Sequence, residues 1–469
     1  MLALGVDLGT SKVAVAVVDR DGVQVHAVAA AHAADLPTST GRFEQDAEVI
    51  IATAERLVRE LPAALRARIA AIGCTGQMHG VVLHDPTTLA QSPLVTWQDQ
   101  RVLEDPTFMP SLGRPLHAGY GLATLAWWAR HGGLPEGTKA ATIHGLLSAR
   151  WAGLQRAPMD PTDAQAWGGL TPITGVKEDI LPNAVGHGER IGSLAVNLGL
   201  PAGIPIAAPL GDNQASLRAT LSDPDHELAF TIGTGCQLSA VVPRGSIGAV
   251  PGCDVRPFTS THDALVAAPL VGGAAWLWLA DTATSWVREL GLLSPSWEDV
   301  LALLDRLGLA SNDCLEFRPH LAGERHDPSL TGTLHGLTLG NGRLGEVARA
   351  LARGIAATAR DMLPSQAFTG RIRVVASGNA LRRSRLLLAM AEAEFALPIS
   401  LIHCREEAAT GAALVARELI ASPQLVRLMS ADPESRMGFR ANQAKTPPTS
   451  TMIKPMNPVK AGASQELCS

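Results

Sequence analysis

Residues 3–19 of the chain read Ala3-Leu4-Gly5-Val6-Asp7-Leu8-Gly9-Thr10-Ser11-Lys12-Val13-Ala14-Val15-Ala16-Val17-Val18-Asp19. Two apolar, β-rich runs flank a Gly-Thr-Ser turn, and this pattern predicts a β-hairpin. Gly9 would let the backbone pass close to a bulky anion, with the amides of Thr10, Ser11 and Lys12 directed at phosphate oxygens. Asp7 stands too close to those oxygens to bind phosphate itself. Its carboxylate therefore predicts a cation between Asp7 and the phosphate oxygens, and Mg²⁺ is the first candidate. Taken alone, this short motif is also typical of an ordinary hairpin.

The same layout occurs a second time, in residues 229–242. There an apolar run, the turn Gly233-Thr234-Gly235 and another apolar run follow one another. Gly233-Thr234 corresponds to Gly9-Thr10, but Thr231 occupies the place of Asp7, so a single metal-directed carboxylate would serve both copies. One hairpin in each half predicts two related domains that close on one polyphosphate.

The composition is that of a globular protein without a nucleic-acid footprint. The 469 residues, 46% of them hydrophobic, allow two or three domains with a large buried core. Aromatic residues make up 4% of the chain, with a single Tyr, and the net charge is −5. Stacking surfaces and basic faces are therefore scarce, which argues against nucleic acid as a partner. An anionic substrate would have to be held locally, by Mg²⁺ and backbone amides.

The cysteines and the hydropathy bear on the cellular location. The cysteines show no Cys-x-x-Cys spacing, so a zinc site is not expected, and their scatter suits a reducing cytosol. They are Cys74, Cys236, Cys253, Cys314, Cys404 and Cys468. No apolar run reaches the roughly 18–20 residues that span a bilayer, and Asp7 and Lys12 interrupt the apolar start. We therefore expect a cytoplasmic protein with no membrane partner.

Two polar stretches in the first half suit ligand binding: the first suits a small-ligand site, and the second suits a sugar. Residues 75–80, which contain Gln77, Met78 and His79, form a loop between two apolar strands, although a plain hairpin loop has the same pattern. Further on, Trp97 offers a flat apolar face and Asp99 offers acceptors for hydroxyl groups, and a sugar presents surfaces of both kinds. The alternative is a surface Trp beside an Asp–Arg ion pair, which contributes little to stability.

Asp212 follows a short apolar strand, residues 204–210, and precedes a helical run. It is either the N-cap of that helix or a general base at the end of the strand. The two interpretations are compatible, because a helix N-terminus favours an ionised carboxylate. Later in the chain, Gly378 and Asn379 lie between a strand and a helix, where the backbone can approach a flat ligand such as adenine or form an ordinary turn. The charged loop of residues 323–327 is interpreted as a structural ion-pair turn.

The rest of the chain alternates between strand and helix patterns. Asp46 is the predicted N-cap of an amphipathic helix, and residues 265–280, with Trp276 and Trp278, are interpreted as a buried helix. The chain has neither the Gly-x-x-x-x-Gly-Lys-[Ser/Thr] motif of a P-loop nor a helix-opening Gly-x-Gly-x-x-Gly, so P-loop and Rossmann nucleotide binding are unsupported. From residue 422 the apolar periodicity disappears, and residues 422–469 are predicted to be a mostly disordered tail.

Together these stretches resemble the FGGY carbohydrate kinases of the actin-like ATPase superfamily. The resemblance covers residues 1–421, and seven motifs carry it in the family's order: Asp7-Leu8-Gly9-Thr10-Ser11, Gly76-Gln77-Met78-His79-Gly80, Trp97-Gln98-Asp99-Gln100-Arg101, Gly211-Asp212-Asn213-Gln214-Ala215-Ser216, Gly233-Thr234-Gly235, Gly323-Glu324-Arg325 and Ser377-Gly378-Asn379-Ala380. It implies an α/β fold of two actin-like (ribonuclease H-like) ATPase domains with a catalytic cleft between them. The expected domains are residues 1–207 and 208–421.

The resemblance also implies an ATP-dependent sugar kinase that transfers the γ-phosphoryl group to the terminal hydroxyl of a ketose. Asp212 would be the catalytic base, and Asp7 would hold Mg²⁺. The implied sugar contacts are Gln77, Met78, His79, Trp97, Asp99, Asp212 and Asn213. The implied ATP contacts are Gly9, Thr10, Ser11, Lys12, Gly233, Thr234, Gly235, Gly378 and Asn379.

The substrate is less sharply implied than the family. Several stretches, among them residues 74–82 and Thr142-Ile143-His144-Gly145, are most similar to the family members that phosphorylate sedoheptulose. The Gln-Met-His loop is shared with xylulokinases, so a five-carbon ketose stays an alternative. A nucleotide-binding switch or a sugar sensor without catalysis are further alternatives, which the sugar-side motifs and the two aspartates argue against. No oligomeric state follows from the sequence, and a homodimer is kept open.

Overall fold

The computed structural model describes residues 1–293, 295–325 and 327–421; the predicted tail, residues 422–469, lies outside them, as does His326. The strands are β1 (Leu2–Leu8), β2 (Lys12–Val18), β3 (Gln24–Ala31), β4 (Glu44–Gln45), β5 (Ile69–Gly76), β6 (Val82–His84), β7 (Leu94–Val95), β8 (Lys139–Ala141), β9 (Pro158–Met159), β10 (Asn183–Ala184), β11 (Arg190–Ser193), β12 (Pro205–Ala207), β13 (Leu210–Gly211), β14 (Glu227–Ile232), β15 (Cys236–Pro243), β16 (Cys253–Pro257), β17 (His262–Ala267), β18 (Glu316–Arg318), β19 (Thr333–His335), β20 (Arg373–Ser377) and β21 (Ile399–Leu401). The α-helices are α1 (Ala47–Glu60), α2 (Ala63–Arg66), α3 (Phe108–Ser111), α4 (Gly121–His131), α5 (Ile143–Ala152), α6 (Pro161–Trp167), α7 (Asp212–Thr220), α8 (Gly273–Glu289), α9 (Trp297–Ala310), α10 (Leu344–Met362), α11 (Asn379–Arg383), α12 (Arg385–Phe395) and α13 (Glu407–Ala421).

The two predicted hairpins are confirmed, and each is the centre of a larger sheet. β1 pairs antiparallel with β2 and parallel with β5, while β14 pairs antiparallel with β15 and parallel with β20. The order β3-β2-β1-β5-β12 in the first sheet matches β17-β15-β14-β20-β21 in the second, with the same relative strand directions. The chain therefore contains the same α/β arrangement twice, which confirms the predicted actin-like fold of two related halves.

The central strands of the first sheet are covered on both faces, which explains their continuous apolar runs. α1 and α5 pack on one face, and their buried side chains join those of β1, β2 and β5 in one apolar core. The side chain of Asp46 accepts hydrogen bonds from the amides of Glu48 and Val49, so the predicted N-cap of α1 is confirmed. A corresponding core lies between the second sheet and helices α8, α10 and α12.

The other face of the first sheet is covered by α13, which comes from the end of the described chain. This close packing depends on glycines, because a Cβ on Gly5 of β1 would overlap the carbonyl oxygen of Ala409. A Cβ on Gly411 of α13 would likewise overlap the carbonyl oxygen of Ala215 on α7. β13, beyond the predicted boundary at 207/208, still pairs with β5, and the division into domains stays a prediction.

We expect Gly411→Ala to destabilise the protein. Helix propensity alone would make alanine about 1 kcal/mol better than glycine inside a helix. The new Cβ, however, meets rigid backbone rather than a flexible side chain, and such overpacking typically costs about 1–3 kcal/mol or more. Thermal unfolding should show a lower Tm. The control is Gly248→Ala, at an exposed glycine where no described heavy atom lies within 4 Å of the built Cβ; an equal or higher Tm for Gly411→Ala would contradict the prediction.

The interpretation of residues 265–280 as one buried helix is wrong. Strand β17 occupies the first part and α8 begins at Gly273, so that Trp276 is buried but Trp278 is exposed. β17 pairs with strands on both sides, and an apolar run of this kind cannot be told from a buried helix by periodicity. In the described part of the chain, no helix combines the length and the apolar character needed to cross a membrane.

Candidate active site

Two aspartates lie where strands of the first sheet end. Asp7, near the end of β1, pairs with Thr75 of β5, and Asp212 begins α7 directly after β13, whose Gly211 pairs with Gly76. Open α/β sheets bind ligands at this edge, outside the carboxyl ends of the strands. Because the helix begins at Asp212 and its N-cap is Gly211, the N-cap interpretation is wrong, and the carboxylate is left for other contacts.

The environment of both carboxylates disfavours their ionised form. Burial, and then the charge of Asp212, raises the pKa of Asp7 to about 7, against an opposite effect of His144. Burial also raises the pKa of Asp212 to about 6, and His144 again opposes the shift. Oδ1 of Asp7 is buried and has no hydrogen-bond partner among the described residues. Shifted carboxylates in a cleft are typical of catalytic sites.

Asp7 and Asp212 line a cavity of about 920 Å³, and a second cavity of about 650 Å³ adjoins it. The two share Lys12, Ser216, Gln237, Glu406 and Glu407 in their linings. Of the residues expected to contact the sugar and the metal, the larger cavity is lined by Asp7, Met78, His79, Trp97, Asp212 and Asn213. Of those expected to contact ATP, the smaller cavity is lined by Lys12, Gly378 and Asn379. The structure thus brings members of both predicted groups to neighbouring cavities, which share part of their linings.

His79 is held as a neutral side chain in the larger cavity. Burial lowers the pKa of His79 to about 4. Its neutral ring therefore donates from Nδ1 to the carbonyl oxygen of Ala166, 2.6 Å away, and keeps Nε2 as an acceptor. The ring stacks on Tyr120, with centroids 5.1 Å apart, and the backbone of His79 has φ +74°. A non-glycine residue at positive φ, fixed by two contacts, is typical of a functional position.

Trp97 and Asn213 present further sugar-type contacts. The side chain of Trp97 is 48% exposed, and its Nε1 donates to Oγ1 of Thr10 at 3.1 Å, which joins the sugar side to the first turn. Nδ2 of Asn213 donates to Oε1 of Gln237 at 3.1 Å, while its buried Oδ1 has no partner in the part of the chain that the structure describes. An apolar ring face and a free buried acceptor are the groups that a polyhydroxylated ligand needs.

Two residues predicted to contact the sugar have other partners. Asp99 is buried and accepts from the amide of Phe43 and from the Arg101 guanidinium, with Nε–Oδ1 at 2.8 Å. Gln77 donates to Gln45, which in turn donates to the carbonyl oxygen of Thr10 at 2.7 Å. Neither residue lines a described cavity. The ion pair that was the alternative for Asp99 is therefore present, though buried, and the side chain of Gln77 is connected to the first turn through Gln45.

The residues of the two Gly-Thr turns do not line the cavities, unlike the other predicted ATP contacts. Gly9, Thr10, Ser11, Gly233, Thr234 and Gly235 are absent from the described linings of both cavities. Lys12, which directly follows the first turn, lines both cavities, and its Nζ lies 2.6 Å from Oε2 of Glu406. In the second turn, the first amides of α8 donate to the carbonyl oxygens of Gly233 and Thr234. The second turn is thereby fixed on a helix N-terminus.

Gly378 is required by its backbone conformation. Its φ is +94°, and a Cβ there would overlap the carbonyl oxygen of Ile232. The glycine thus allows β20 to end against β14 while α11 begins at Asn379. Gly378 and Asn379 of this turn line the smaller cavity together with Arg382 and His403.

Sequence reasoning missed several cavity residues. Glu324 belongs to the loop interpreted as a structural ion-pair turn, yet its buried side chain lines the larger cavity and accepts from the amide of Leu270 at 3.2 Å. Asp254 and Arg256, paired at 2.6 Å, reach this cavity from β16 of the second sheet. Tyr120 could have been noticed in the sequence, because it is the single tyrosine of the chain. Asp254 and Arg256 could not, because nothing in their local sequence indicates that β16 faces the first half.

In the comparisons with known proteins, the matches are to carbohydrate kinases. The sequence profile of the FGGY family of carbohydrate kinases, N-terminal domain, matches residues 2–132. The human protein named sedoheptulokinase is 30% identical over 472 residues, a match that covers 88% of this chain and 97% of the human protein. A glycerol kinase of Gloeobacter violaceus is 28% identical, with 88% of this chain and 87% of that protein covered.

The fold also has solved counterparts. The crystal structure of xylulose kinase from Rhodospirillum rubrum superimposes with a TM-score of 0.75, and covers 90% of this chain and 90% of its own. The sequence identity of that pair is 20%, so the likeness concerns the fold alone.

Proposed function

Because the chain is a sugar kinase that belongs to the FGGY family of carbohydrate kinases, we propose that it transfers the γ-phosphoryl group of ATP to the terminal primary hydroxyl of sedoheptulose. The observation that carries the reaction type is the pair of buried carboxylates, Asp7 and Asp212, in a cleft lined by both halves. The observation that favours the seven-carbon ketose is the match to human sedoheptulokinase along almost its whole length.

Asp212 is proposed as the general base. It accepts the proton of the attacking hydroxyl while the oxygen forms its bond to the γ-phosphorus, and ADP leaves with the electrons of the broken bond. The base must come within about 3 Å of that hydroxyl, and such help typically contributes about 10²- to 10⁴-fold. Most of the remaining acceleration in phosphoryl transfer comes from positioning and charge stabilisation.

Asp7 is proposed to hold Mg²⁺ together with the phosphates. The residues fit this ion, because a buried carboxylate oxygen without a described partner is the hard oxygen ligand that Mg²⁺ prefers. No group of three or more His, Cys, Asp or Glu side chains among the described residues could hold a metal by itself. Mg²⁺ commonly needs only one or two carboxylates, with water and substrate phosphate as further ligands. When bound, the ion would neutralise phosphate charge.

The remaining cleft residues are assigned by the side they occupy. Lys12 and the amides of the two Gly-Thr turns would meet the phosphates, and Gly378 with Asn379 would flank adenosine. Nε2 of His79 and Oδ1 of Asn213 would accept sugar hydroxyl protons, with the ring of Trp97 beside them. Water must be kept from the γ-phosphate, so we expect sugar binding to close the cleft. The cytoplasm remains part of this proposal, since the five described cysteines are unpaired, as is usual in a reducing compartment.

We expect activity to decline in acid. A general base must be ionised, and burial raises the pKa of Asp212 to about 6. Below this pH the acid form dominates, so kcat/KM for the sugar should fall by about tenfold per pH unit or more. The profile is measured at saturating MgATP. MgATP binding is measured separately across the same pH range, so that effects of nucleotide protonation can be distinguished from protonation of Asp212. A profile that stays level well below pH 6 would contradict the prediction.

The proposed function is tested by ADP formation from MgATP with sedoheptulose, D-xylulose, D-ribulose, glycerol or no sugar. The highest kcat/KM with sedoheptulose is the expected result. Highest turnover with D-xylulose would keep the reaction and overturn the substrate; the Gln77-Met78-His79 loop makes this the second candidate. The discrimination can be modest, because one methylene-scale difference contributes only about 1–3 kcal/mol. ATP binding without sugar-dependent turnover would favour a switch or a sensor.

A further inference from the structure

A buried His–Asp pair lies beneath the two carboxylates. Nε2 of His144 and Oδ2 of Asp163 are 2.5 Å apart, and the exposed fractions of the two side chains are 0% and 1%. Neither residue lines either of the two described cavities, and none of the roles assigned above uses them. A buried ion pair of this kind is weak support for stability, since apolar residues of equal volume often do as well.

The pair is built into the elements that place Asp212. His144 lies in the first turn of α5, and Asp163 lies in α6. The neighbouring Thr162 accepts, through Oγ1, a hydrogen bond of 3.0 Å from the amide of Gly211, the residue before Asp212. A shift of α6 would therefore be transmitted directly to the start of α7.

The second nitrogen of the His144 ring points toward the ends of the catalytic strands. Nδ1 is buried and has no hydrogen-bond partner within the described ranges. It lies so close to Gly76 that a Cβ there would come within 3.0 Å of it. Gly76 itself pairs with Leu8 on one side and Gly211 on the other, which are the neighbours of Asp7 and Asp212.

We propose that His144 is a positioning residue for phosphoryl transfer, held by Asp163 so that its ring faces the backbone that carries Asp7 and Asp212. This inference rests on the proposed function. The ring offsets negative charge at the site and keeps Asp212 in place. The direction of the pKa of His144 agrees: burial lowers it, but the charge of Asp163, the hydrogen bond to it and the charges of Asp212 and Asp160 raise it overall above its ordinary value.

The test compares His144→Gln and Asp163→Asn with the wild type, using the ketose of the panel with the highest turnover. We expect kcat to fall about 10- to 100-fold in each variant, the scale seen when partners of catalytic groups are removed. KM for ATP and for the sugar should stay within about twofold. The double variant should lose little more than either single one, because the two residues act as a unit.

His84→Gln is the matched control. His84 is equally buried, has one ring nitrogen bonded to the carbonyl oxygen of Asp85 and the other without a described partner, and lies on β6, outside the cavity linings. It should lose stability like His144→Gln but keep its kcat. Unchanged kcat in the His144 and Asp163 variants would overturn the inference, as would losses that multiply in the double variant or that occur equally in the control. If His144→Gln does not fold, Asp163→Asn alone decides by the same kcat criterion. A wild type without sugar turnover would overturn the proposed function instead.

Discussion

Asp212→Asn is expected to lower kcat by about 10²- to 10⁴-fold, the contribution of a positioned general base. The amide has the shape of the carboxylate but cannot accept the proton of the attacking hydroxyl. The fold should be retained, because the substitution replaces a buried acid whose environment already disfavours its charge. ATP affinity should also persist, since Asp212 lines the larger cavity and not the one that contains Gly378 and Asn379.

The measurement is steady-state turnover together with calorimetric titration of MgATP. Asp21→Asn serves as the matched control, since this exposed aspartate lies in the turn between β2 and β3, at the other end of β2 from Lys12. It should behave like the wild type. A largely active Asp212→Asn variant would remove the general-base assignment and, with it, the expected acid limb of the pH profile.

Asp7→Asn is expected to lower kcat by about 10²- to 10³-fold, which is the usual scale for one preorganised electrostatic contact. It should also raise the Mg²⁺ concentration required for half-maximal turnover, because an amide oxygen is a weaker ligand than a carboxylate. Turnover is measured across a Mg²⁺ titration. A wild-type Mg²⁺ dependence in the variant would show that Asp7 has a different role.

The same substitution should not lower the stability of the fold. A loss of kcat without a loss of stability would separate a functional role of Asp7 from a structural one. Burial raises the pKa of Asp7 in the folded chain to about 7, whereas an unfolded aspartate carboxyl has a pKa of about 3.9. The stabilisation from the protonated, folded form is therefore complete below about pH 4 and is lost as the pH rises to about 7. Asparagine carries no such dependence, so Tm of the metal-free variant relative to wild type should increase over this range. A lower Tm at pH 8 would identify Asp7 as structural.

The local elements could be predicted because their causes are local. Both Gly-Thr hairpins and the N-cap at Asp46 follow from apolar spacing, capping and turn residues within a few positions. The two aspartates were also singled out from local pattern, Asp7 because it precedes the Gly-Thr turn and Asp212 because it follows an apolar strand. The helix prediction for residues 265–280 was wrong for the reverse reason. An apolar run in the middle of a sheet shows no polar–apolar alternation that would distinguish it from a buried helix.

The partners of side chains could not be read from the chain in the same way. Asp99 was predicted to face a sugar, but the folded chain surrounds it with Phe43 and Arg101, which use its acceptors. Glu324 was interpreted as part of a structural ion-pair turn, but it is buried in the cavity wall, where it accepts a hydrogen bond from the amide of Leu270. In both cases the deciding contact joins residues that local pattern cannot bring together.

The division between the two levels follows from the range of the forces. Backbone geometry, strand runs and helix ends depend on neighbouring residues, so the sequence alone established the repeated hairpin, the α/β class and the family. Only the tertiary structure decided that α13 returns to cover β1, that β16 brings Arg256 to the cleft and that His144 lies under Gly76. These arrangements depend on packing between distant segments, where a single glycine or a buried charge determines how closely two backbones can approach.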